Sequence, residues 1–181
     1  MQLRLSHAVL YVRDLEPMLD FYTGVLGFSV SDRGPLNPAD PEGVQLTFLT
    51  QTGSDHHQLA FANVRQDDAP SNTVDHLAFR VGALSDVKEM AAKLQADGRA
   101  QEVAPVNHGN AWSIYFRDPE GNRLEVFCDS PFHVTQPQIG GWDLAMSEDE
   151  LRAATEEQFG RDTELQPMSE YRSAQKQRHG D

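Results

Sequence analysis

Hydrophobic positions along this chain alternate, then recur at helical spacing, then alternate again, and the whole cycle runs twice. The stretch "LSHAVLYV", Leu5 to Val12, alternates and is rich in β-branched and large apolar residues, which predicts a strand. In "RDLEPMLDFYTGVLGF" the apolar residues Leu15, Met18, Leu19, Tyr22, Val25 and Leu26 recur at helical spacing. Asp14 is placed to cap that helix, Pro17 must sit in its first turn, and Gly24 and Gly27 mark its end. Three more strands follow, "SVSDRG", "VQLTFLT" and "HHQLAFA", the first two separated by the loop "PLNPADPEG". The order is βαβββ.

The cycle repeats in "VDHLAFRV", a helix "LSDVKEMAAKLQADG" capped near Ser85 and closed by Gly98, and the strands "RAQEVA", "AWSIYFR" and "NRLEVFC". Matching "SHAVLYV" to "DHLAFRV" sets His7 and His76 at the same place, 69 residues apart. The expected fold class is α+β, two paired βαβββ modules forming a cupped, half-open barrel. Module one covers about 3–63 and module two about 73–128, within a domain of residues 1–132. From 133 to 181 the texture is that of an acidic C-terminal tail, turn-rich at first. A capping-box start in "SEDELRAATEEQF" predicts a helix near 147–159, and a polar end follows. Such a tail can cover a pocket, mediate a dimer contact or fray.

Composition narrows the function classes. The apolar share is 39% and the aromatic share 8%, as in globular chains, and no apolar run approaches the roughly 18 residues of a membrane span. The start "MQLRLSHAVLYV" lacks the marks of an export signal, so a cytoplasmic location is expected. Lys plus Arg number 15 against 28 Asp plus Glu; the net charge of −13 argues against a nucleic-acid backbone or an anionic membrane as partner. The single cysteine, Cys128, makes no internal disulfide and reads as a buried structural thiol.

Candidate chemistry lies on the strands. Histidine is unusual where a first strand would hold Val or Ile, and here it occurs at matched positions in both modules. Glu125 alternates with Arg123 and Phe127 and so shares the side of a core-facing Phe. A buried carboxylate needs a partner charge. A salt bridge to Arg117 or Arg123 is one solution; a divalent cation held by His7, His76 and Glu125 is the other. Two imidazoles and a carboxylate on one face leave coordination positions open, the pattern of non-heme Fe(II) oxygen chemistry, whereas structural zinc would call for a cysteine set this chain lacks.

The two βαβββ cycles resemble the vicinal oxygen chelate superfamily. The stretch "VNHGNAWSIYFRDPEGNRLE" is similar to the signature of type I extradiol ring-cleavage dioxygenases, through His108, Ile114, Tyr115, Asp118, Pro119, Gly121 and Glu125. In "HHQLAFA" the second histidine, His57, matches the position of that family's acid/base histidine. The resemblance covers about Leu3 to Phe132, with one pair of modules rather than the two pairs of many members, and so points to the one-domain branch. It implies Fe(II) on His7, His76 and Glu125, with Mn(II) as an alternative, and O2 as co-substrate. It gives proton transfer to His57, a hydrogen bond to a substrate oxygen to Tyr115, and positioning and assistance in deprotonation or ring opening to His108. The turn "DPEGN" then delivers Tyr115 and Glu125 from adjacent strands.

The expected function is extradiol cleavage of a small catecholic substrate in aromatic degradation, in a chain that can pair into a homodimer or higher homo-oligomer. Rivals on the same scaffold are a glyoxalase-like lyase or isomerase and a non-catalytic protein that binds a planar aromatic drug. The lyase-type enzymes tend to take a further ligand from the last strand of the first module, where Leu59 stands at the position matching Glu125 if Phe61 is matched to Phe127. His56, His133 and His179 are expected at the surface.

Overall fold

The computed structural model describes residues 5–66, 74–161 and 164–179. The ends of the expected modules at residues 3–4 and 73, and the side chain of His179, lie outside the described residues. The chain divides into two compact units, one of residues 1–75 and 118–122, the other of residues 76–117 and 123–181.

The first unit contains β1 (Ala8–Tyr11), α1 (Leu15–Gly24), β2 (Ser29–Pro35), β3 (Gln45–Thr50) and β4 (Leu59–Ala62). Its sheet has the order β1-β4-β3-β2, with β1 parallel to β4 and the other pairs antiparallel. Met18, Leu19, Phe21 and Tyr22 of α1 are buried, as are Leu49 and all four residues of β4. Asp14 occupies the N-cap position but makes no side-chain cap. The carboxylate of Glu120 does this instead, accepting from Arg13 N at 2.8 Å and Asp14 N at 2.9 Å. An anion at a helix N-terminus satisfies amides that lack intrahelical partners and opposes the positive end of the dipole. In the same turn Asp118 is fully buried and accepts from the Tyr22 hydroxyl at 3.0 Å and Asn122 Nδ2 at 2.7 Å.

The second unit begins with β5 (Leu77–Arg80), α2 (Leu84–Asp97), β6 (Gln101–Asn107), β7 (Ala111–Arg117) and β8 (Arg123–Asp129). Strand order β6-β7-β8-β5 repeats that of the first sheet, again with one parallel pair. The N-cap of helix α2 lies two residues before Ser85. Ala83 is the N-cap residue, and Asp86 accepts from the amides of Gly82 and Ala83 at 3.1 and 3.0 Å. Gly98 closes the helix in the left-handed conformation, at φ 76°.

The residues after β8 are built into this second unit rather than frayed from it. They form β9 (Phe132–His133), β10 (Gly140–Gly141), α3 (Glu148–Phe159), β11 (Gln166–Pro167) and α4 (Met168–His179). β10 extends the sheet by pairing with β6, and β9 pairs with β11. Ser147 and Glu150 form the reciprocal cap of α3, with Glu150 Oε2 accepting from Ser147 N at 2.8 Å. Leu151, Thr155 and Phe159 of α3, with Val134 and Trp142 before it, are buried. Thr155 Oγ1 accepts from Asn107 Nδ2 at 2.9 Å and Trp112 Nε1 at 3.0 Å, so an alcohol on α3 closes two buried donors of the sheet. His133 is no surface histidine: its ring stacks on Tyr171 at 3.5 Å and 7°. Among the described residues no helix is long and apolar enough to cross a membrane.

Candidate functional site

Strand register assigns the faces of the second sheet. Tyr115 lies opposite Glu125 and Ser113 opposite Phe127, so these four share a face, while Trp112, Ile114, Phe116, Leu124, Val126 and Cys128 fill the other. The Glu125 side is therefore not the closed core that alternation with Phe127 suggests. Phe127 is half-buried, with the Arg80 guanidinium 4.8 Å from its ring centre. Cys128 is buried on the opposite face, and burial pushes its thiol up to about 11.

Glu125 is 7% exposed, and both its oxygens are engaged. Ser113 Oγ donates to Oε1 at 2.6 Å, and His76 Nε2 lies 3.2 Å from Oε2. His76 precedes β5, whose Ala78 is paired with Glu125, so the parallel ladder brings the imidazole to the carboxylate. Arg117 Nε bonds Glu102 at 2.6 Å, and Arg123 lies 4.5 Å from the Tyr115 ring centre.

Tyr115 is 9% exposed, its ring edge-on to His76. Its hydroxyl is 3.1 Å from Nε2 of His108, whose Nδ1 is 2.7 Å from the carbonyl of Gln138. His108 sits at the turn between β6 and β7, where Gly109 takes φ 77° and a Cβ would collide with Val134. A carbonyl only accepts, so Nδ1 is the donor in that contact, and in the ring form with one proton Nε2 is left to accept from the tyrosine hydroxyl.

In the first unit, the ring centres of His7 and His57 are 4.3 Å apart. His57 Nδ1 is 3.0 Å from Nδ1 of His56, and the His56 Nε2 lies 3.9 Å from an Asp32 oxygen. Burial, then the neighbouring His7 and His56, holds the His57 imidazole below the ordinary histidine value. His56 is exposed, as its turn position suggests, but it is a partner of His57 as well.

The chain thus brings His76 to Glu125, His108 to Tyr115 and His7 to His57. Among the described residues no three His, Cys, Asp or Glu side chains form a preassembled metal cage. His76 Nε2 and Glu125 Oε2 nevertheless offer the nitrogen and oxygen donors that divalent iron or manganese accepts, with Ser113 orienting the carboxylate from behind. Sequence reasoning missed Ser113, Trp142 and the Gln138 carbonyl. Ser113 was findable from its two-residue spacing to Tyr115. Trp142, which donates to the Ser113 carbonyl at 3.0 Å, carries no local signal.

Repeat register also corrects the lyase test. Ala8 pairs with Leu59 in the first sheet and Leu77 with Leu124 in the second, so the counterpart of Glu125 is Ala60, not Leu59. The frame set by matching Phe61 to Phe127 is one residue off the frame set by the histidines. Neither Leu nor Ala ligates a metal.

Comparison with known proteins follows the same lines. The model of the Glyoxalase/Bleomycin resistance protein/Dioxygenase superfamily matches residues 4–126. Biphenyl-2,3-diol 1,2-dioxygenase 3 of Rhodococcus globerulus is 34% identical over 70% of this chain and 64% of its own. A metapyrocatechase of a Pseudomonas species is 26% identical over 77% of this chain and 43% of its own, so the chain spans about two thirds and less than half of these two relatives. A lactoylglutathione lyase of Neisseria meningitidis is 28% identical over 68% of this chain and 88% of its own. Among solved structures, a glyoxalase/bleomycin resistance protein/dioxygenase domain from Frankia sp. EAN1pec superposes with a TM-score of 0.60 at 21% identity, covering 71% of this chain and 93% of that one. The fosfomycin resistance protein FosX of Listeria monocytogenes gives 0.54 at 22%, covering 71% and 93%. A duplicated βαβββ order, an α+β architecture and a family match across both modules agree: this chain belongs to the glyoxalase/bleomycin resistance protein/dioxygenase superfamily and has its vicinal oxygen chelate fold.

Proposed function

We propose that the protein is an extradiol dioxygenase, which opens the ring of a small catecholic compound beside its hydroxyl pair and incorporates both atoms of O2. The observation that carries this reading is the buried Glu125 carboxylate, 3.2 Å from His76 on the face where Tyr115 meets His108. Relatives named for cleavage of biphenyl-2,3-diol and catechols support it. Fe(II), or Mn(II), held by His7, His76 and Glu125 would supply the point at which both catechol oxygens and O2 meet.

The remaining steps belong to this chain's own groups. His57, held neutral near pH 7 by burial and its histidine neighbours, takes a proton from a catechol hydroxyl and returns it to the product. Tyr115 directs its own proton to His108 and so offers an oxygen lone pair to a substrate hydroxyl. The Arg123 guanidinium, 4.5 Å from the Tyr115 ring centre, packs over that ring. Ala60 at the counterpart of Glu125 supplies no fourth protein ligand, which favours the dioxygenase over the lyase reading.

The test is O2 uptake by anaerobically Fe(II)-reconstituted protein with catechols from monocyclic to biaryl, following the yellow ring-opened product. Uptake with colour supports the reading and ranks substrates. No uptake from iron-loaded protein with any catechol overturns it in favour of a lyase or a binding protein.

A further inference from the structure

The contact between His108 and the Gln138 carbonyl raises the question of what holds that carbonyl, because residues 134–139 form neither helix nor strand. Gln136 answers it. Its Nε2 donates to the His108 carbonyl at 2.7 Å, and its Oε1 accepts from Gln138 N at 2.9 Å. One carboxamide therefore grips the backbone on both sides of the His108–Gln138 contact. Only one orientation serves: flipped, the amide would set oxygen against oxygen and N–H against N–H. Gln136 is exposed, and an exposed glutamine held at both ends loses rotamer freedom for no gain in buried area.

The far end of the segment is fixed independently. Gly140 pairs with Asn107 at the edge of the sheet, and a Cβ there would run into the Gln158 carboxamide. Trp142 then donates to the Ser113 carbonyl. Between these anchors Gln138 is held by the Gln136 grip on its amide and by its own Nε2, which donates to the Thr135 carbonyl at 3.1 Å; of the two, only the Gln136 grip also reaches His108.

We infer that Gln136 is a positioning residue: by clamping His108 O and Gln138 N it sets the Gln138 carbonyl on His108 Nδ1 and commits Nε2 to receive the Tyr115 hydroxyl proton. Tyr115 is thereby fixed as an acceptor toward its ligand, and the group it selects is a hydroxyl donor rather than a bare oxyanion. The catalytic consequence rests on the dioxygenase reading; the tautomer does not.

The experiment uses full-length protein labelled with 15N-histidine, with side-chain 1H–15N correlations recorded above the histidine titration range and without substrate. Comparison with His108→Gln assigns the His108 signals. The expected wild-type pattern is protonated Nδ1 and bare Nε2. In Gln136→Ala the population moves toward the Nε2–H form that free imidazoles favour. Gln136→Glu, which keeps an acceptor for Gln138 N but has no donor for His108 O, moves the same way. A wild-type His108 protonated at Nε2, or an unchanged pattern in both variants, overturns the inference. With catechol, Gln136→Ala lowers kcat about fivefold at constant KM and iron content, the scale of one misdirected hydrogen bond; an unchanged kcat contradicts the positioning role. Absence of turnover in the wild type would sink the dioxygenase reading and leave the tautomer spectra to decide on Gln136.

Discussion

Glu125 is the residue on which charge and geometry bear most directly, since its two oxygens face a hydroxyl and an imidazole and almost no water. Replacing it by Ala removes the one anion from that pair. Reconstituted Glu125→Ala is expected to lose bound iron, and a variant with full iron occupancy by metal analysis would remove Glu125 from the ligand set. His57 behaves differently: His57→Gln is expected to keep its iron and slow turnover by about a hundredfold, the scale of a lost general base. Its pH dependence has a defined sign. A histidine whose value is depressed stays neutral further into acid, so the acidic limb of kcat/KM lies below about 6.5. A cation on the adjacent His7 pushes the same way. The limb vanishes in His57→Gln if His57 is the base. At this scale spacing made the pairing of Tyr115 with Glu125 legible, and matched repeats drew attention to His7 and His76. What it hid was long-range: Gln138, Trp142 and Thr155 reach the strands from 29 to 48 residues away. No periodicity records such contacts.

Elements were legible wherever a burial pattern had a period. Alternation located the strands but not all their limits, since β1 runs only from Ala8 to Tyr11 and β4 is buried at all four positions, and the apolar spacing of α1 and α2 placed both helices through the buried face of each. Caps were less legible, since any nearby carboxylate can fill the role: Glu120 replaces Asp14, and Asp86 serves α2 in place of Ser85. Helix α4 escaped notice because its sequence is polar and lacks an apolar stripe. Helix α3 is held through Thr155, which leads to a stability prediction. Thr155→Val leaves Asn107 Nδ2 and Trp112 Nε1 without their acceptor and is expected to cost about 2 kcal/mol, read from the urea midpoint. Helix α4 docks through the His133–Tyr171 stack. Burial depresses His133, so its folded-state value lies below the unfolded one; docking is at full strength above about 6.5 and weakens as pH falls through the folded value. Amide exchange in Met168–His179, compared between pH 7 and 5 after correction for intrinsic rates, should lose protection. His133→Phe should abolish that pH dependence.

Over the whole molecule the charge of −13 sets the conditions under which a substrate arrives. A neutral catechol is indifferent to that field, whereas a carboxylated one is repelled, and salt screens the difference. The kcat/KM ratio of a carboxylated to a neutral catechol should rise between low and physiological ionic strength; a flat ratio would mean that local charges at the site govern entry. The repeat made the fold readable at this scale, while the chain's exchange of a turn between its two units did not show in the pattern. Residues 118–122 continue the second module in sequence, yet they belong to the first unit, where Glu120 holds the start of α1 and Asp118 holds Tyr22. Synthesis from the N-terminus therefore leaves the first unit unfinished while all of α2, β6 and β7 are being made. Its helix waits at the ribosome for a carboxylate more than a hundred residues downstream, and a fragment cut at the module boundary would never receive it.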